Sequence, residues 1–249
     1  MGSTVCQAVT DDPDLELVTA VDPSYRGIDL RTVTGVDSDL RISGEAGAFE
    51  RTGAQVVVDF SHHGASVENL AWLAEHGLHA VVGTTGFSDA ELDRFRSDFT
   101  RSNCVIAPNF AIGAVLMMHF AALAAPYFDS AEVIEFHHES KIDAPSGTAM
   151  LTVQKMAEAS SDWTADPTEH DVVEGARGGE GPGGIHLHSV RMRGLVAHQE
   201  VLLGTTGQTL TIRHDSIDRS SFMPGVLLAV KQVAERPGVT VGLDQLLGL

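Results

Sequence analysis

Residues 54–86 read AQVVVDFSHHGASVENLAWLAEHGLHAVVGTTG. The valine runs near either end do not alternate with polar residues, so each suits a strand covered on both faces, as in a parallel sheet. Between them, SVENLAWLAEHG carries apolar residues at helical spacing and stops at Gly77, a residue suited to the turn that closes a helix. Strand, helix and strand in that order point to an α/β fold.

The same punctuation continues outward. SDAELDRFRSDF follows, with Ser88 and Glu91 in capping-box spacing, and then the run NCVIAPNF. Upstream, LELVTAVD reads as a further strand ending in an acid. Residues 1–110 are therefore expected to form a Rossmann-like, doubly wound parallel sheet, a dinucleotide-binding domain. Beyond it the period changes. AEVIEFH, IHLHSVRM, AHQEVLLG and QTLTIRHD alternate in part and are separated by loops or hairpin turns. They predict a second, α+β domain over residues 111–220 with a mainly antiparallel open sheet, interrupted by one long helix over about residues 148–160. Residues 175–184 are Gly-rich and read as a mobile loop. No Lys-Ser/Thr pair follows those glycines, so the segment is not a phosphate-binding loop. GVLLAVKQVAERPG turns helical again, and residues 221–249 are expected to return to the dinucleotide-binding domain.

Composition restricts the partners. A chain of 249 residues can bury full cores without staples, and Cys6 and Cys104 show no CxxC spacing, which fits a reduced, cytoplasmic setting. The start meets Asp11 and Asp12 before any apolar run that could serve as a signal segment. Residues 112–128, IGAVLMMHFAALAAPYF, are interrupted by His119 and ended by Pro126, so a buried helix is expected rather than a membrane span. A formal charge of −18 argues against general affinity for nucleic acid or an anionic membrane surface. An anionic ligand must then be held locally, and lysine stands only at Lys141, Lys155 and Lys231.

GTTG occurs at residues 83–86 and again at residues 204–207. The first copy, with Gly83, Thr84 and Thr85, follows a buried strand and precedes a capped helix. That is the carboxyl edge where doubly wound sheets bind ligands, and Ala107, Pro108, Asn109 and Phe110 should lie on the same edge. The second copy reads as a hairpin. Asp22 has two readings of equal weight, a ligand for an adenosine ribose or a strand-ending acid in a turn before Pro23. Residues 135–149, EFHHESKIDAPSGTA, bring His137, His138 and Lys141 into a turn just before a helix that opens near Gly147 and Thr148. Imidazoles and an ammonium beside a helix N-terminus suit a small anionic substrate that gains a proton during reaction. A zinc site from His137, His138 and Glu139 with His186 and His188 lacks the usual framing spacings, and no metal is expected. His119 reads as a packed side chain.

EFHHESKIDAPSGTA, together with VVVDFS, AVVGTTGF, APNFAIG and GQTLTIRHDSIDRSSFMPGVLLAV, closely resembles the 4-hydroxy-tetrahydrodipicolinate reductase family, over essentially the whole chain. The resemblance implies NAD(P)H-dependent reduction of a small cyclic dicarboxylate on the diaminopimelate route to lysine. By resemblance, His137 is the proton donor/acceptor and Lys141 a second proton donor, His138 contacts substrate, and Gly147 with Thr148 binds one of its carboxylates. Gly83, Thr84, Thr85 and residues 107–110 contact the nicotinamide cofactor, with Asp22 on the adenosine ribose. An acid at Asp22 favours NADH over NADPH, because a 2′-phosphate would meet a like charge, with Arg26 softening the effect. The resemblance also implies domain closure on binding, with the Gly-rich segment joining the lid, and a homotetramer assembled through the second domain's sheet.

Members of that family begin with a strand and a G-x-x-G-R-M-G turn, and Met1-Gly2 resembles that turn's last two residues. A misassigned start or a shortened chain is the expectation, with a weaker grip on the pyrophosphate. The second reading is a catalytically impaired homologue that binds a dicarboxylate or a dinucleotide.

Overall fold

Two bodies of chain form in the computed structural model, which describes all 249 residues: Met1–Phe110 with Phe222–Leu249, and Ala111–Ser221. In chain order the first contains α1 (Gly2–Asp11), α2 (Leu30–Thr34), α3 (Gly47–Arg51), β1 (Val56–Asp59), α4 (His63–His76), β2 (His79–Val82), α5 (Asp89–Asp98) and β3 (Cys104–Ile106). The second contains α6 (Ile112–Ala124), β4 (Ser130–His137), α7 (Gly147–Ala159), β5 (Gly179–Glu180), β6 (His186–Arg191), β7 (Ala197–Thr205) and β8 (Gln208–Ser216). The chain then returns to the first with α8 (Met223–Gln232), β9 (Val239–Val241) and α9 (Asp244–Leu247).

The sheet of the first unit runs β1-β2-β3-β9, and every pairing is parallel. Ala80, Val81 and Val82 of β2 are wholly buried, which is why that run does not alternate. α4 buries Ser66, Leu70, Leu73 and Ala74, the face that a 3.6-residue period places inward. Burial of Leu70 and Leu73 contributes on the order of 2 kcal/mol each. Gly77 ends α4 at φ +70°, and the Leu78 N–H donates to the Leu73 carbonyl at 3.0 Å. The expected capping box opens α5, with the Ser88 N–H donating to Glu91 Oε2 at 2.7 Å and the Glu91 N–H to Ser88 Oγ at 3.3 Å.

The strand expected over LELVTAVD does not form. Val21 makes one isolated bridge to Ser43, where the Asp22 N–H donates to the Ser43 carbonyl and the Ser43 N–H to the Ala20 carbonyl, each at 2.9 Å. Leu17 and Ala20 pack instead against Cys6, Leu30, Val36 and Ile42. A cavity of about 650 Å³ is lined both by residues 14–21 and by Val56, Val57 and Val58, so the segment does not join the β1 ladder. Apolar patterning reports that side chains are buried, and here burial is met by helix packing rather than pairing. Gly2, which by resemblance ends a glycine-rich turn, opens α1, which buries Val5, Cys6 and Val9. β9 was not anticipated, because three residues are too short for a period to register.

In the second unit the strand order is β5-β6-β4-β7-β8, with β4–β6 parallel and β4–β7, β5–β6 and β7–β8 antiparallel. The second GTTG turns the β7–β8 hairpin, with Gly207 at φ +78°. Period-two alternation puts Val133 and Glu135 of β4, Leu187 of β6, and Gln199, Val201 and Leu203 of β7 in the interior. α7 buries Ala149, Thr152, Val153 and Met156, and Gln199 Nε2 donates to Thr152 Oγ1 at 2.7 Å. α6 lies against α7 and β8. Residues 175–184, expected as a mobile loop, are tied down. Gly179 and Glu180 pair with β6, and the Gly184 N–H closes a turn onto the Gly181 carbonyl at 3.1 Å, with Gly183 and Gly184 both at positive φ. Gly178 sits at φ +76° so close to the Leu187 carbonyl and the His188 ring that a side chain there would overlap both. Glycine at that position permits close backbone approach.

Candidate active site

The chemistry-bearing side chains of the second unit gather at the carboxyl end of β4. Glu135 and His137 are two residues apart on one strand and so share a face. On β6, Ser189 lies opposite Glu135 and Arg191 opposite His137, which puts Arg191 on the diagonal from Glu135. Glu135 is completely buried. It accepts from Arg191 Nη1 and Nη2, both at 2.8 Å, from the Ser146 N–H at 3.1 Å and from His137 Nδ1 at 2.5 Å. Burial alone would raise this carboxyl, but hydrogen bonds from His137, Arg191 and Ser189 outweigh it and hold the group at about 2. Arg191 Nη2 also donates to the Asp143 carbonyl at 2.6 Å. The strand end is thereby fastened to the loop that leads into α7.

That loop carries the remaining candidates. The Lys141 N–H donates to the His138 carbonyl at 3.1 Å, folding residues 138–141 into a turn. Lys141 Nζ bridges both oxygens of Asp143 at 2.7 and 2.8 Å, and this ammonium holds the Asp143 carboxyl below its ordinary value. Ser146 caps α7 by accepting from the Ala149 N–H at 3.2 Å, leaving Gly147 and Thr148 as the first helical residues. Glu135, bonded to both His137 and the Ser146 N–H, links His137 to the start of α7 at Gly147 and Thr148, and Lys141 stands on the loop between them with its ammonium on Asp143. His138 is exposed at the start of the same loop, just beyond β4.

The zinc arrangement weighed from the sequence does not assemble. His188 Nε2 pairs with Glu132 at 2.6 Å, while His186 Nε2 lies 3.1 Å from Asp166. Arg177 stands between the two carboxylates, bonded to Glu132 at 2.7 Å and to Asp166 at 2.9 Å. Period two puts this network on the face of β4 opposite Glu135 and His137. The network also fastens the Gly-rich segment, since the His186 ring bonds the Arg177 carbonyl at 2.9 Å.

In the first unit the expected cofactor residues Gly83, Thr84 and Thr85 follow β2, and Ala107, Pro108, Asn109 and Phe110 follow the adjacent strand β3. Both loops therefore sit on the carboxyl edge of the parallel sheet. Thr84 is buried and its hydroxyl donates to the Ser61 carbonyl at 2.8 Å, with Asp59 Oδ1 at 3.3 Å. The buried Asp59 also accepts from the Ser61 N–H at 2.8 Å and from Asn69 Nδ2 at 2.7 Å. Phe60 tilts against Phe110, with ring centroids 5.9 Å apart, and lies over Gly83 so closely that any side chain there would collide with it. The Gly83 N–H is used by the Asp59 carbonyl at 2.9 Å, whereas Thr85 and Gly86, the latter in a left-handed turn at φ +87°, are exposed at the strand end, where a doubly wound sheet receives a dinucleotide. Asp22 stands outside this sheet and caps a short helical turn, accepting from the Ser24 N–H at 2.8 Å.

Sequence reasoning missed Glu135, Arg191, Asp143 and Asp59. For Glu135 a sign was present, because a carboxylate inside the apolar alternation of AEVIEFH, two residues before a histidine, marks a buried charge that needs a partner. Nothing local pointed to Arg191, which reaches the site by sheet register alone.

A parallel sheet with two ligand-ready loops on its carboxyl edge, and a separate sheet holding a carboxylate-bound histidine beside a helix N-terminus, define a dinucleotide-dependent oxidoreductase. Comparison with known proteins narrows the class. The chain belongs to the dihydrodipicolinate reductase family, whose N-terminal and C-terminal domain models match residues 1–110 and 113–247. It is 52% identical to the 4-hydroxy-tetrahydrodipicolinate reductase of Nocardia farcinica, across 100% of this chain and 95% of that one. It is 53% identical to that of Mycolicibacterium vanbaalenii, across 89% and 90%. Among solved structures, a dipicolinate-bound dihydrodipicolinate reductase from Paenisporosarcina sp. TG-14 superposes with a TM-score of 0.83 at 38% identity, covering 98% of this chain and 94% of that one.

Proposed function

We propose that this protein reduces 4-hydroxy-tetrahydrodipicolinate to tetrahydrodipicolinate with loss of the hydroxyl as water, using NADH or NADPH, in the cytoplasmic route to lysine through diaminopimelate. The observation that carries the reading is the convergence of His137, Lys141 and the α7 N-terminus on one loop. A dicarboxylate needs two anion-receiving points, and the loop offers Gly147 and Thr148 at a helix N-terminus and the Lys141 ammonium. His137 exchanges the proton that the reduced ring requires, with Lys141 as second donor and His138 contacting substrate. Gly83, Thr84, Thr85 and residues 107–110 would hold the nicotinamide end of the cofactor, and Asp22 the adenosine ribose. The bound nicotinamide supplies the hydride.

The Asp22 carboxylate favours NADH, since a ribose phosphate would meet a like charge. Assembly as a homotetramer through the second sheet is supported by β8, an edge strand with exposed residues along most of its length. The test is nicotinamide oxidation with freshly generated 4-hydroxy-tetrahydrodipicolinate, run with both cofactors, beside His137→Gln and Lys141→Ala. Wild-type turnover that falls by about 100-fold or more in each variant is expected. Absence of turnover in the wild-type protein with either cofactor overturns the assignment.

A further inference from the structure

We infer that Glu135 is a positioning residue for His137, fixing the imidazole with its proton on Nδ1 so that Nε2 is the atom that exchanges protons with substrate. The inference rests on the role proposed for His137. A carboxylate held at about 2 is ionised throughout the working pH range and can only accept hydrogen bonds. His137 Nδ1 lies 2.5 Å from Glu135 Oε2, so the ring nitrogen must be the donor in both the neutral and the cationic imidazole. Only Nε2 is left to gain and lose a proton.

Glu135 cannot turn away from this task. Arg191 holds both of its oxygens at 2.8 Å, and the Ser146 N–H holds Oε1. The carboxylate is completely buried, with no solvent to take a ring proton's place. Those same bonds tie the Asp143 carbonyl and Ser146, hence the start of α7, to the strand that bears His137. One buried carboxylate therefore sets the tautomer of the proton carrier and its register against the anion-receiving helix end, as the outer partner of a metal-bound histidine does for its ligand.

Imidazole nitrogen NMR at alkaline pH reads the tautomer without reference to activity, with the His137 signals assigned by their loss in His137→Gln. The expected result is the Nδ1–H form in the wild-type protein; a predominant Nε2–H form overturns the inference whatever the enzyme does. In Glu135→Gln the amide oxygen goes to Arg191 and the amide N–H groups turn toward His137 Nδ1, so the ring should flip to the Nε2–H form. kcat should then fall by about 100-fold with KM changed by less than about threefold. Glu135→Asp keeps the charge and should retain the Nδ1–H form and recover part of kcat. A folded Glu135→Gln protein that keeps the wild-type tautomer, or wild-type kcat, refutes the assignment. Because the tautomer is read on its own, failure here is distinct from an absence of turnover in the wild type.

Discussion

Replacing Arg191 with Met should cost far more alone than together with Glu135→Leu. In the wild type the guanidinium makes two 2.8 Å bonds to a carboxylate with no solvent exposure and a third, at 2.6 Å, to the Asp143 carbonyl. Arg191→Met leaves the Glu135 charge buried with only His137, Ser189 and the Ser146 N–H as donors, and removal of one partner of a buried pair costs about 3–5 kcal/mol. The lower end applies here, because Glu135 can take up a proton once its pairing is lost, which limits the penalty to about 3 kcal/mol. Glu135→Leu strands a guanidinium whose side chain is 20% exposed and can turn to water, so its cost is smaller, about 1–2 kcal/mol. The double variant removes both charges and fills the space with apolar atoms. It should be destabilised by no more than about 2 kcal/mol, a coupling of at least about 2 kcal/mol against additivity. Urea unfolding in a Trp72→Phe background checks this, since Trp163 then reports on the second unit alone. Losses that add, or a loss below about 1 kcal/mol for Arg191→Met, would show that the pair is not electrostatically sealed and refute the reasoning.

Glu135 also sets an acid limit. Its folded value of about 2 lies below the ordinary 4.5, so its contribution is complete above about pH 4.5 and lost as pH falls toward 2. The amount is about 3 kcal/mol, so Glu135→Gln should flatten the acid limb of a plot of stability against pH. Gly225→Ala should destabilise the first unit by about 2 kcal/mol or more, because the new methyl would overlap the Phe110 carbonyl, a backbone atom that cannot rotate aside. Thermal unfolding measures it. Cys104 is fully buried and burial pushes its thiol well above the ordinary range, so it should react with a disulfide reagent only at the rate of unfolding.

Most of the fold could be read in the chain because short-range rules and global packing agree in it. The valine runs of β1 and β2, the stop at Gly77 and the Ser88 box each specify one element and its boundary, and the structure places them accordingly. Disagreement arose where one local pattern serves two global outcomes. Residues 15–22 bury leucine, valine and alanine equally well as a strand or as a segment draped on α1 and α2, and only the neighbours present decide between them. Residues 175–184 failed for a different reason. Glycine content signals conformational freedom, but at Gly178 the same lack of a side chain permits a close approach that orders the segment.

The active site divides along the same line. His137, Lys141, Gly147 and Thr148 were visible because they lie within one stretch of sequence, where residue type and spacing carry the chemistry. Glu135 was nearly visible, as a charge out of place in an apolar strand. Arg191 is more than fifty residues from Glu135, and only the parallel register of β4 with β6 brings them together. What such a register supplies is orientation. The proton carrier and the anion-receiving helix end are set by local sequence, whereas the angle of the imidazole and its distance from α7 are set by a pair assembled through the sheet. Substitution of Lys141 should therefore lower kcat with the His137 tautomer intact, while substitution of Arg191 should leave every reacting group present, alter that tautomer and spoil the alignment.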